Sequence, residues 1–96
     1  MSADFLKKLD EAREYAGIPF AINSAYRSPT HPLSIKNPTS SHIKGLAVDI
    51  SVKDSKTRFK ILDALIAVGF TRIGIANSFI HVDLDFDKSQ NVIWTY

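Results

Sequence analysis

The chain contains no cysteine, so no disulfide staples the fold, and any metal it holds must be taken by nitrogen and oxygen donors. Only three histidines are present to supply the nitrogen. Long apolar runs are missing as well. No segment approaches the roughly 20 apolar residues of a membrane-spanning helix, so no membrane span is expected. The opening MSADFLKKLDEAREY sets charges among its apolar positions, whereas a secretion signal carries an unbroken apolar stretch. The expectation is a chain made in the cytoplasm in soluble form. An excess of one charge is also lacking: 12 Lys and Arg face 10 Asp and Glu, and no basic run is longer than Lys7-Lys8. A dedicated nucleic-acid surface clusters its cations, so none is expected here. The mildly basic balance suits an anionic wall polymer as a partner.

What is present is one domain's worth of apolar residues. At 96 residues and 45% hydrophobic, the chain supports a single core over residues 1–96, expected to be monomeric. Phe5, Leu9, Ala12 and Ala16 recur at helical spacing with Leu6 beside them, and Gly17 and Pro19 end that helix. PFAINSAYR reads as a strand leading into SPTHPLSIKNPTSS, a long loop rich in Pro, Ser, Thr and Asn. In GLAVDISV, Leu46, Val48, Ile50 and Val52 alternate with Ala47, Asp49 and Ser51, which turns Asp49 away from the core. Asp54 is placed to cap a second helix over 55–68, with Phe59, Leu62, Leu65 and Ile66 as its apolar face and Gly69 as its stop. FTRIGIA, FIHVDLD and NVIWTY read as further strands. The order implies an α+β fold: a small antiparallel sheet with two main helices.

The second alternating strand, FIHVDLD, buries Ile80, Val82 and Leu84 and turns His81 and Asp83 to the face that Asp49 occupies. With His42 in the turn before Asp49, two imidazoles and a carboxylate form a set suited to one catalytic zinc with an open position. Zinc lowers the pKa of a bound water to about 7 and polarises a carbonyl, which is the chemistry of amide hydrolysis. Each residue also has a plainer reading, as a structural histidine at a strand edge or an aspartate capping a loop. The stretch Asp83, Asp85, Asp87 lacks the glycine and distal glutamate of a calcium loop.

SAYRSP, SSHIKGLAVDI, GFTRIGIANSFIHVD and the closing W-x-Y occur in an order that resembles the zinc D-alanyl-D-alanine carboxypeptidase family. That family includes L-alanyl-D-glutamate endopeptidases of phage lysins and shares its fold with the hedgehog signalling domain. Ser40, His42, Gly45, Ala47 and Asp49 match S-x-H-x-x-G-x-A-x-D as a block, and the resemblance runs from about Phe20 to Tyr96. It implies that His42, Asp49 and His81 are the zinc ligands and that Arg27 anchors substrate. A guanidinium there forks onto a peptide's terminal carboxylate or steadies the oxyanion. Ser40 either bonds a ligand or the substrate, or is a plain turn serine. Gly45 admits a tight turn before the strand.

The sequence departs from many relatives at the general base, since Ser78 and Phe79 stand where they carry an acid or a second histidine. Asp83 is the remaining candidate and is expected to be the general base, with the orienting of a ligand as the alternative. His31 either lines the cleft or is an exposed loop residue. Trp94 and Tyr96 are expected at the end of the sheet, with a cleft wall as the alternative for one of them. The expected function is zinc-dependent hydrolysis of peptidoglycan stem peptides, as in a phage lysis protein or virion-borne wall hydrolase. The alternative is a zinc-stabilised module that binds wall peptides or a protein.

Overall fold

In a computed structural model, residues 3–24 and 45–96 are described. Helix α1 (Ala3–Ala16) buries Phe5 and Ala12 and rests Leu9 and Ala16 against the same core. It ends where Gly17 takes φ of 70° and its amide donates to the Arg13 carbonyl at 3.1 Å, a left-handed stop that glycine adopts without steric cost. Strand β1 (Ile22–Ser24) and strand β2 (Ala47–Ser51) follow. Helix α2 (Ser55–Ala67) starts at Asp54, whose carboxylate accepts from the Thr57 amide at 2.7 Å. Strands β3 (Arg72–Ile75), β4 (Phe79–Asp83) and β5 (Val92–Thr95) complete an α+β fold.

The five strands form one sheet in the order β1-β2-β4-β3-β5. Val48, Ile50, Ile73, Ile80 and Val82 turn inward to meet Phe5, Ile61 and Leu65 from the helices in a single core. Phe5 meets Phe70 edge to face at 5.9 Å. Both described helices therefore lie on one face of the sheet. The opposite face carries the alternate residues of β2, β3, β4 and β5, Asp49 and His81 among them.

Two expectations are corrected. The sheet is mixed, because β5 runs parallel to β3 while the other pairings are antiparallel. The β3–β4 hairpin returns the chain to the start of β3, so a short link brings β5 alongside in the same direction, beginning where Val92 donates to the Thr71 carbonyl. Helix α2 buries Leu65 of its expected face but is rotated away from Phe59 and Ile66. Its sequence holds two apolar stripes, and the one with Ile61, Ala64 and Leu65 meets α1 and the sheet. Leu62 is partly buried, while Phe59 and Ile66 are 71% and 52% exposed. Among the described residues, no helix is long and apolar enough to cross a membrane.

Phe5→Ala should cost about 3–5 kcal/mol in urea unfolding, since a fully buried ring leaves a cavity between two helices and the sheet. The Thr57 amide, first, and its hydroxyl, second, hold the Asp54 carboxyl below its ordinary value of 3.8. A depressed carboxylate stabilises the fold above its unfolded pKa and loses that contribution as pH falls through the folded one. Unfolding curves of wild type and Asp54→Ala should therefore differ near neutral pH and converge well below pH 3.8.

Candidate metal centre

Four neighbouring strands place one residue each in a row across the face opposite the helices. Asp49 on β2 pairs with His81 on β4, His81 pairs with Gly74 on β3, and Gly74 pairs with Trp94 on β5. Residues facing each other across strands lie within contact distance on a shared face. Because Gly74 has no side chain, the indole of Trp94 occupies the space above it and comes within 5.5 Å of the His81 ring. An isolated glycine inside a strand marks such a close approach.

The His81 imidazole lies between two carboxylates. Its Nδ1 is 2.9 Å from Asp49 Oδ1, and its Nε2 is 2.8 Å from Asp83 Oδ2. The other oxygen of Asp83 accepts from Arg72 Nε at 2.8 Å and from the Asp85 amide at 3.1 Å. Burial by itself disfavours the charged imidazole, but hydrogen bonds to Asp49 and Asp83 and the charges of both outweigh it and raise the His81 pKa. Burial likewise opposes charge on Asp83, yet its bonds to His81 and the Asp85 amide, with the charges of His81 and Arg72, bring its pKa below the ordinary value. The two shifts agree: the charge on each group favours the charged form of the other.

Asp49 Oδ1 and His81 Nδ1 are donors of the type that zinc accepts. Tetrahedral zinc with ligand bonds of about 2.0–2.1 Å separates two donors by about 3.3–3.4 Å, so the pair needs to open by only a few tenths of an ångström from its hydrogen-bonded 2.9 Å. Asp83 lies against the other ring nitrogen, so it cannot share with Asp49 an ion held by Nδ1. No group of three or more His, Cys, Asp or Glu side chains disposed around a metal occurs among the described residues. The third expected donor, His42, lies outside them, as do Arg27, Ser40 and His31. Gly45 is described, and its φ of 73° is the left-handed turn expected ahead of the strand.

The run Asp83, Asp85, Asp87 builds a turn. The Asp85 amide donates to Asp83 and the Asp87 amide to Asp85 at 3.2 Å, while Lys88 Nζ lies 3.5 Å from Asp85. Arg72 and Gly74 border the site and sequence reasoning assigned neither, while Trp94 entered it only as an alternative cleft wall. The only available signal was Gly74 within an otherwise strand-like segment. Trp94 lies beside the His81 ring, and Tyr96 meets Phe79 in a tilted contact at 5.1 Å between ring centres.

The family model described as Peptidase M15 matches residues 2–83. It spans α1 to β4, so it begins earlier than the resemblance read from motifs and leaves β5, with Trp94 and Tyr96, outside. No curated protein and no solved structure matches the chain.

Gly74→Ala tests the row directly. The added methyl carbon would stand 2.5 Å from Trp94 Nε1 and 2.6 Å from Cε2, so the indole must leave its seat. Stability should fall by about 1–3 kcal/mol, and the emission of Trp94, the single tryptophan in the chain, should shift to longer wavelength.

Proposed function

The chain belongs to the peptidase M15 family, and from that membership we propose that it is a zinc peptidase hydrolysing an amide bond in the peptide stems of peptidoglycan. Peptidases of this family are generally zinc-dependent. The observation that carries the reading is the facing pair of Asp49 Oδ1 and His81 Nδ1. A carboxylate and an imidazole are thereby set at near-ligand spacing on the sheet face away from the helices.

Asp49 and His81 hold the metal together with His42, so that all three ligands are nitrogen or carboxylate oxygen. Bound zinc supplies a Lewis acid that activates water and polarises the scissile carbonyl. Asp83 keeps the His81 ring oriented by accepting from Nε2 and raises the basicity of Nδ1, as carboxylates behind metal-bound histidines do. Of the two roles open to Asp83, this one suits its surroundings. It is 1% exposed, both of its oxygens are engaged, and it stands on the opposite side of the ring from Asp49. Arg27 grips a terminal carboxylate or the developing oxyanion, and Ser40 steadies a ligand or the substrate. Such an activity suits a phage lysis protein.

Zinc-loaded protein incubated with purified stem peptides should release fragments that each gain one water's elements at the cut, as read by mass spectrometry. His81→Ala and Asp49→Ala, each removing a ligand, should lower zinc affinity and rate by more than the roughly 10–100-fold that loss of a hydrogen-bonding partner behind a ligand costs. Intact stems at high protein concentration, with metal confirmed, would overturn catalysis.

One observation favours a second reading, a zinc-stabilised module that binds stems without cutting them. Among the described residues, the strand positions on this face offer no carboxylate besides Asp49 and Asp83, and Asp83 is enclosed. Asp83→Asn separates the roles. An orienting Asp83 predicts zinc binding weakened about 10–100-fold together with turnover, whereas a base predicts lost turnover with zinc affinity intact.

A further inference from the structure

Arg72 opens β3, and its side chain is 11% exposed. A charge this buried requires partners, and it has them on several sides. Nε donates to Asp83 Oδ1 at 2.8 Å, Nη1 donates to the Ser89 carbonyl at 2.5 Å, and the guanidinium lies 5.0 Å from the Trp94 ring centre. Trp94 in turn occupies the space over Gly74 and borders the His81 ring. The Ser89 carbonyl belongs to the link between β4 and β5, so one side chain ties β3, β4, that link and β5 together. Arginine suits such a place because its planar fork fixes two acceptors at once and stacks on an aromatic face.

We propose that Arg72 is a positioning residue for His81, acting through Asp83 and held in place by Trp94. This rests on reading His81 as a zinc ligand. The physical chain is short. Asp83 can hold the Nε2 proton of His81 in one direction only if its own carboxylate plane is fixed, and the Arg72 Nε bond fixes it from the far oxygen. Without Arg72 the carboxylate turns between its remaining donors, and Nδ1 of His81 no longer points steadily toward Asp49. Trp94 limits both movements from β5, a strand that lies outside the family match.

The test measures zinc dissociation constants by competition with a chromophoric chelator, on the full chain. Arg72→Ala should weaken zinc binding about 10–100-fold. The same change in an Asp83→Ala background should add less than about twofold, because groups that act through one another are not additive. Arg58→Ala, which removes another arginine bonded to a backbone carbonyl, should leave zinc affinity unchanged. An Arg72→Ala chain that folds and binds zinc like wild type would overturn the proposal, as would an equal loss in both backgrounds. Should Arg72→Ala not fold, Arg72→Lys, which keeps the charge and loses the fork, should show a smaller loss, and unchanged affinity there is equally contrary. A wild-type chain that binds no zinc would overturn the ligand reading instead. The proposal is then decided in the metal-free protein by proton NMR: loss of the hydrogen-bonded Nε2 proton signal of His81 in the Arg72 variant supports it, and persistence of that signal overturns it.

Discussion

An imidazole clamped between two carboxylates is the constraint around which this domain is arranged. One ring nitrogen of His81 lies 2.9 Å from Asp49 and the other 2.8 Å from Asp83, and neither carboxylate could sit where it does without its strand being in register. A slip of one residue in β4 would exchange His81 and Asp83 for Ile80 and Val82 and turn the site into the core. The hydrophobic packing of Val48, Ile50, Ile80 and Val82 against the helices therefore also sets the polar geometry on the other face.

The two carboxylates differ in their surroundings, and that difference divides their roles. Asp49 stands on a strand pair facing away from the helices, with its side chain 21% exposed. Asp83 is enclosed by His81, Arg72 and the turn that begins at Asp85. The more accessible carboxylate is available to a metal, and the enclosed one is suited to hold the ring. The acidic run after β4 serves the same end, because successive amides donate back to Asp83 and Asp85 and keep the link to β5 close to Arg72.

Much of this was legible in the sequence where periodicity and burial coincide. The alternation in LAVDISV and FIHVDLD placed Asp49, His81 and Asp83 on a common face, and Asp54 marked the start of α2. Where two patterns competed, local sequence could not decide. Helix α2 carries one apolar stripe through Phe59 and Ile66 and another through Ile61 and Leu65, and only contact with α1 and the sheet selects the second. The parallel pairing of β5 depends on the hairpin that precedes it, which no property of NVIWTY records. Trp94 joins the site through the empty space at Gly74 and Arg72 through its bond to Asp83, relations between strands that no single segment displays. His42, Arg27 and Ser40 rest on motif resemblance, since they fall outside the described residues.

The central claim is that His81 presents Nδ1 to a zinc ion while Asp83 retains the proton on Nε2. Nitrogen-15 NMR of the His81 ring in the full chain, recorded as zinc is added, tests it most directly. At one equivalent of zinc, Nδ1 should move to the shift of a metal-bound nitrogen while Nε2 stays protonated. A ring in which neither nitrogen responds to zinc, or in which Nε2 takes the metal, would contradict the assignment.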